Sequence, residues 1–171
     1  MSMDIEQLRH QLVGTTIDPE TFLSTDYFNS FNEVIMLLGM LSDVPEVMED
    51  IDAWVFRSYE EHFEASGLPF AGVAIEAYRQ APAEARIPFD DTIDQLTEMV
   101  EMARQELAAA AVEARETETP EGSMPGISAA DDLAQIGAVY SMQLQQLVEA
   151  GSAVIHGAEN SSVQDAVDAF F

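Results

Sequence analysis

The chain has 171 residues, of which 32 are acidic and six are basic, so its formal net charge is −26. Residues 1–87 carry 16 acids and four arginines, and residues 88–171 carry 16 acids and two arginines, so the charge is spread along the whole chain. A chain this acidic repels phosphate backbones and anionic lipid, which argues against direct binding to nucleic acid or to a membrane. The absence of cysteine excludes disulfides, thiolate metal sites and cysteine nucleophiles.

The apolar fraction of 47% predicts a packed core and is too high for a fully disordered acidic chain. No segment approaches the roughly 18 consecutive apolar residues that a membrane span needs. The first residues have neither a basic stretch nor an apolar run, so we expect no signal peptide. These features together predict a cytoplasmic protein.

Helical periodicity and the absence of alternating β-branched runs predict an all-α fold. We expect residues 1–87 to form a compact multi-helix subdomain, with helix-start signals at Asp18-Pro19 and Asp43-x-x-Glu46. Its helices are predicted over about 26–41, 45–56, 59–65 and 70–79. Its core is predicted from six aromatic residues: Trp54, Phe56, Tyr59, Phe63, Phe70 and Tyr78.

Residues 88–157 predict a long antiparallel helical hairpin. Two seams repeat at spacings of 4 and 3, as in heptad packing, and a turn-rich break over residues 119–126 separates them. The first seam is Phe89, Ile93, Leu96, Val100, Ala103, Leu107 and Ala110, and the second is Leu133, Gly137, Tyr140, Leu144, Leu147, Gly151 and Val154. The two glycines either weaken the second helix or mark a close backbone approach. A hairpin alone leaves apolar flanks uncovered, so it must pack on the first subdomain or on a second copy in a homodimer.

Residues 158–171 predict a polar linker followed by a short helix with one apolar face. On that helix Val163, Val167, Phe170 and Phe171 fall at i, i+4, i+7 and i+8. A helix this short is unstable alone. It either docks into the groove of a partner or folds back on the chain's own core.

The run from Gln164 to Phe171 resembles the peptide with which CheZ phosphatases and the flagellar switch protein FliM hold the response regulator CheY. The family pattern is Gln-x-x-(Ile/Val)-Asp-x-Leu-Leu; Gln164, Val167 and Asp168 match it, while Phe170 and Phe171 replace the two leucines. The resemblance implies binding to a CheY-like receiver domain, with an acidic residue of the peptide facing a receiver lysine. The partner-binding residues that it implies are Gln164, Asp165, Val167, Asp168, Phe170 and Phe171.

CheZ-type enzymes also carry an Asp and a Gln one turn apart on the second hairpin helix, and Asp131 and Gln135 have that spacing here. The resemblance implies protein-aspartyl-phosphate phosphatase activity, in which the Gln amide orients the attacking water and the Asp pairs with a receiver lysine. The chain itself is expected to hold no cofactor, since Mg²⁺ would belong to the receiver. The residues around the pair depart from the family's Asp-Leu-Thr-Gly-Gln run, and a solvated helix face accounts equally well for both side chains.

The other chemistry-bearing residues form no recognisable site in the sequence. His10, His62 and His156 lack the neighbours of a phosphoacceptor histidine or of a Glu-x-x-His metal site. Most of the methionines lie on or beside apolar stripes and are expected to fill the core. They include Met36, Met40, Met48, Met99, Met102 and Met142.

The sequence therefore favours a cytoplasmic signalling protein that binds a CheY-like receiver through its C-terminal helix and stimulates receiver dephosphorylation. The alternative is a non-catalytic acidic interaction module, either a nucleic-acid mimic or a chaperone or adaptor for a basic partner. In that case the distributed charge and not the C-terminal helix would carry recognition.

Overall fold

A computed structural model describes residues 4–117 and 129–157. Within these ranges the repeating structure is entirely helical, which confirms the all-α prediction for this part of the chain, and the one strand-like feature is an isolated bridge between Ile17 and Ser24. The helices are α1 (Ile5–Leu12), a 3₁₀ helix (Thr25–Phe28), α2 (Asn29–Met40), α3 (Val47–Ala53), α4 (Tyr59–Ser66), α5 (Ala71–Arg79), α6 (Ala83–Thr117) and α7 (Ala129–Ile155). The predicted turn at 119–126 and the predicted C-terminal helix lie outside the described residues.

Local capping explains where the short helices begin. Ser58 forms a capping box with Glu61: its hydroxyl accepts from the Glu61 N–H, and the Glu61 carboxylate accepts from the Ser58 N–H. The two predicted helix starts are wrong. Asp18 instead closes a turn, its carboxylate accepting from the N–H groups of Glu20 and Thr21. The residue that precedes α3 is Glu46, and its side chain makes no capping hydrogen bond.

Helix α6 is continuous from Ala83 and contains Pro88 in its second turn. The helix therefore begins five residues earlier than the heptad pattern suggested, and the predicted boundary after Ile87 lies inside it. By packing, the chain forms two compact units, each assembled from separate stretches of sequence. Of the described residues, the first contains 4–30, 57–94 and 148–157, and the second contains 31–56, 95–117 and 129–147.

The first unit has an aromatic core around Tyr59. Its ring stacks on Tyr78 at 4.5 Å between centroids and contacts Phe63, Tyr27 and Phe89 at 4.8, 5.3 and 5.7 Å. The buried hydroxyls are satisfied: the Ser24 N–H donates to Tyr59 Oη at 2.9 Å, and Tyr27 Oη donates to the Arg57 carbonyl at 2.7 Å. Burial raises the pKa of both Tyr27 and Tyr59 well above the ordinary tyrosine value.

The second unit has its own core, in which Phe31 packs on Trp54 and Phe56 at 5.6 and 6.4 Å. Trp54 and Phe56, which were predicted to share a core with the four other aromatic residues, fall in the second unit. Because α2 enters the second unit at Phe31 and the chain returns to the first unit at Arg57, the six predicted aromatic residues divide between two cores. Phe56 is 40% exposed and Phe70 is half-buried, so neither side chain is fully buried.

Both predicted heptad seams face inward. In the first, every residue from Phe89 to Leu107 is buried and Ala110 is half-buried. In the second, Tyr140 and Leu144 are buried together with the two glycines, whereas Leu133, Leu147 and Val154 are half-buried. The spacing of 3 and 4 therefore identified the buried stripe of each long helix.

Gly137 marks a close approach of two helices in the second unit. A Cβ at this position would lie 2.4 Å from the Leu38 carbonyl oxygen and 2.8 Å from Leu41 Cδ1, so α7 meets the backbone of α2 directly. One turn later, the buried Ser141 hydroxyl donates to the Ile35 carbonyl at 3.1 Å. Of the two alternatives for the seam glycines, the structure shows the close backbone approach.

Gly151 serves the same purpose in the first unit, against side chains. A Cβ there would lie 2.5 Å from Phe28 Cζ and 3.1 Å from Thr92 Cγ2. The Thr21 hydroxyl also donates to the Ile155 carbonyl at 2.8 Å, at the end of the same helix. These contacts hold the last turns of α7 within the first core.

We predict that Gly137→Ala destabilises the protein by about 1–3 kcal/mol, because the Leu38 carbonyl cannot move aside as a side chain could. This net loss already includes the gain of about 1 kcal/mol in helix propensity that alanine brings. Gly72→Ala in α5 is the matched control, since a Cβ there meets nothing within 4 Å. Urea unfolding should show a lower midpoint for Gly137→Ala and an equal or higher one for Gly72→Ala. Equal midpoints for the two variants would contradict the close approach.

We also predict a pH-dependent contribution from His62, which is half-buried and whose ring lies nearly perpendicular to the rings of Tyr27 and Phe63. Burial lowers the pKa of His62 in the folded protein below its ordinary value of 6.5. Below that pH the unfolded chain binds the proton more readily, so His62 contributes stability above pH 6.5 and loses it as the pH falls toward its folded pKa. The effect should stay below about 1 kcal/mol because part of the ring faces water.

The measurement is urea unfolding at pH 7.5 and 5.5 for the wild type and His62→Gln. Between pH 7.5 and pH 5.5, the free energy of unfolding should fall more for the wild type than for the variant. An identical change in unfolding free energy in both proteins would show that His62 does not contribute to the pH dependence of stability.

Candidate functional site

One face of α7 in the second unit remains open to solvent. Its residues are separated in sequence by 4, 4, 3 and 4 positions, so they form a line along the helix. The line is Asp131, Gln135, Val139, Met142 and Gln146, and we refer to it as the α7 face. Val139 is 41% exposed and Met142 is 57% exposed, so an apolar centre lies between polar ends. Gly137 and Ser141 pack against α2 on another side of the helix, and this fixes which face stays open.

The structure places both predicted catalytic residues on the α7 face. Asp131 and Gln135 are exposed and lie one helical turn apart. Asp131 and Asp132 also occupy the first turn of α7, where the helix dipole favours negative charge. A solvated helix start accounts for this arrangement of the two side chains.

Sequence reasoning missed the apolar part of this face. The methionines were predicted to fill the core, whereas Met36, Met102 and Met142 are 57%, 48% and 57% exposed. For Met142 the available signal was its spacing of seven from Gln135 and three from Val139. That spacing identifies a common face but cannot say whether the face is covered.

A second feature of the same unit is a groove with a volume of about 410 Å³, which we call the α3 groove. Its lining comprises Met48, Glu49 and Asp52 of α3, Ala108, Ala111 and Val112 of α6, and Leu133 of α7. Leu133 is separated by about 200° of helix rotation from both Asp131 and Gln135, so the groove and the predicted catalytic pair lie on opposite sides of α7.

Arg104 fastens α3, which forms one wall of the groove. Its guanidinium donates to the Ile51 carbonyl at 2.8 and 3.1 Å and also to the Trp54 carbonyl, so it satisfies carbonyl groups at the end of α3. It lies 5.5 Å from the centre of the Trp54 ring and bonds to Glu101 at 2.7 Å. Glu49 and Asp52 therefore sit on a helix held firmly against α6.

The histidines occupy separate places in the first unit. His10 lines a shallow depression of about 400 Å³ with Glu6, Arg9 and Val13, and His156 Nδ1 lies 3.3 Å from Asp18 Oδ2. Within residues 4–117 and 129–157, His, Asp and Glu side chains form no group of three with metal-binding geometry. The same residues contain no helix that is long and apolar enough to cross a membrane.

The predicted partner-binding residues lie outside the described residues. They are Gln164, Asp165, Val167, Asp168, Phe170 and Phe171, and their role remains a prediction. Comparisons of the chain with protein-family models, with curated proteins and with solved structures found no match.

Proposed function

We propose that this chain is a cytoplasmic signalling protein that binds a CheY-like receiver domain through residues 164–171 and accelerates the receiver's dephosphorylation. The observation that carries the proposal is the α7 face. It presents Asp131 and Gln135 together on an open surface, next to the exposed side chains of Val139 and Met142.

Contacts along α6 and α7 support the antiparallel hairpin that this proposal uses. Thr92 lies beside Gly151, and Glu106 bonds to Tyr140, where burial and that hydrogen bond raise the pKa of the phenol. Leu133 shares the α3 groove with residues 108–112. Residue numbers in these contacts increase along α6 while they decrease along α7, which is the order expected of antiparallel helices.

The proposed chemistry needs little from this chain beyond positioning. The Gln135 amide can donate one hydrogen bond and accept another, so it orients a water molecule toward the phosphorus of the receiver's phosphoaspartate. Attack by water forms a new P–O bond and breaks the acyl-phosphate P–O bond, which releases inorganic phosphate and restores the receiver aspartate. Asp131 would pair with a receiver lysine and fix the approach. The Mg²⁺ that neutralises the phosphoryl oxygens belongs to the receiver.

Charge and exposed apolar surface supply the remaining support. A net charge of −26 attracts a basic receiver surface over distances of about 10 Å at ~0.1 M salt. Met102 on α6 is 48% exposed, and a homodimer through the hairpin would cover such a side chain. The high acidic charge also suits the second candidate, an acidic module without catalysis for a basic partner.

For binding, we predict that deleting residues 164–171 abolishes association with a CheY-like receiver, because the deletion removes both the apolar anchors and the acidic contacts. Isothermal titration of full-length and truncated protein against a panel of such receivers measures this. Full retention of affinity by the truncated protein, with collapse of binding above about 0.3 M salt, would instead support the acidic module.

For catalysis, we predict that Gln135→Ala lowers the accelerated rate of phosphate release by at least tenfold, as loss of a water-orienting group does. The matched control is Gln145→Ala, which removes an exposed amide of α7 away from the α7 face. Phosphate release is followed from receivers phosphorylated with acetyl phosphate. If the wild-type protein leaves the decay rate of the phosphorylated receiver unchanged, the proposal of phosphatase activity is wrong and only the proposed receiver binding remains.

A further inference from the structure

We propose that the α3 groove is a docking site for a basic amphipathic helix of a partner protein. This site is distinct from the proposed receiver-binding segment and does not depend on it. The proposal rests on the shape of the groove, the chemistry of its lining and the charge of the unit that contains it.

The groove has an apolar floor that runs along helices. Ala108, Ala111 and Val112 lie at i, i+3 and i+4 of α6, so their side chains form one stripe, and Met48 of α3 and Leu133 of α7 add apolar surface to the lining. Val112 is 52% exposed although it belongs to this stripe. An apolar channel between helices suits the apolar face of another helix, whose anchors recur at the same spacing.

The polar part of the lining selects the occupant. Glu49 and Asp52 lie at i and i+3 of α3 and provide two carboxylates on one rim, while the other lining side chains are apolar. A polar small molecule needs several converging donors and acceptors, which this lining does not offer. An apolar helix flanked by Lys or Arg matches both the floor and the rim.

The charge of the second unit rules against an acidic occupant. Its described residues, 31–56, 95–117 and 129–147, carry 13 acids and two arginines, a net charge of −11. Arg104 is already engaged with Glu101 and with the carbonyl end of α3. A second copy of this chain, or its own C-terminal residues with Asp165 and Asp168, would bring like charge to the carboxylate rim.

The probe is a designed 18-residue peptide of Leu and Lys, with Leu at helical i, i+3, i+4 and i+7 spacing and a fluorescent label. A scrambled Leu/Lys peptide of the same composition controls for simple charge attraction, and a Leu/Glu peptide with the same Leu pattern controls for apolar binding. Anisotropy titrations with the full-length protein should rank the patterned Leu/Lys peptide at least tenfold tighter than either control.

Two variants test the location. Ala111→Trp fills the floor and should weaken the patterned peptide at least tenfold, whereas Ala109→Trp, at an exposed position of α6 outside the groove, should not. The double variant Glu49→Gln/Asp52→Asn should weaken binding about fivefold, and the charge-matched Glu33→Gln/Glu98→Gln variant should leave it nearly unchanged. Circular dichroism checks that each variant is folded.

Methyl NMR spectra provide a site-specific readout. Adding the patterned peptide should shift the resonances of Met48, Val112 and Leu133 and leave those of Val13 and Ile5 unchanged. Equal affinity for the scrambled peptide, or equal effects of the groove and control variants, would overturn the proposal.

Two further results identify a different occupant and also overturn it. A chain ending at Gly157 that binds the peptide more tightly than the full chain would show that the C-terminal residues occupy the groove. A change in sedimentation mass caused by Ala111→Trp would assign the groove to a second copy. Failure of receiver binding in the preceding experiments affects none of these results, so the two proposals can fail separately.

Discussion

The contact of Gly137 with the Leu38 carbonyl determines how the second unit presents its surfaces. Because no side chain separates the two helices there, α7 lies directly on α2, and the bond from Ser141 to the Ile35 carbonyl fixes its rotation. The rotation in turn decides that Val139 and Met142 face water beside Gln135, and that Leu133 faces the α3 groove. A larger residue at position 137 would change both surfaces at once.

In this molecule charge serves solubility and long-range attraction, whereas packing determines geometry. The carboxylates lie mainly on exposed helix faces, where they serve solubility and long-range attraction without selecting one geometry. Selection requires apolar surface beside charge, and the second unit shows this combination at the α7 face and at the α3 groove. The first unit is built around buried tyrosines whose hydroxyls are satisfied within the fold, so its aromatic cluster is structural.

Much of the fold could be predicted because helical periodicity is a local property. The predicted segments 59–65 and 70–79 correspond closely to α4 and α5, and the heptad seam from Phe89 to Leu107 is buried. Helix ends were harder to predict from the sequence, because a cap depends on which backbone groups are left without partners. Asp18 had the composition of a cap yet closes a turn, whereas Ser58 forms a full capping box. The candidate site was predicted in part: the spacing placed Asp131 and Gln135 on one face, but could not show that Val139 and Met142 share it in the open.

The sequence by itself determined the helical class, the buried stripe of each long helix and the acidic character of the surface, because each follows from composition and spacing along one helix. Tertiary structure decided the rest. It divided the aromatic residues between two cores, since the chain leaves the first unit at Phe31 and returns at Arg57. It also placed Gly137 and Gly151 where other helices or side chains approach closely, and it left a groove beside α3. Both features depend on which helices meet and not on the residues of any one helix.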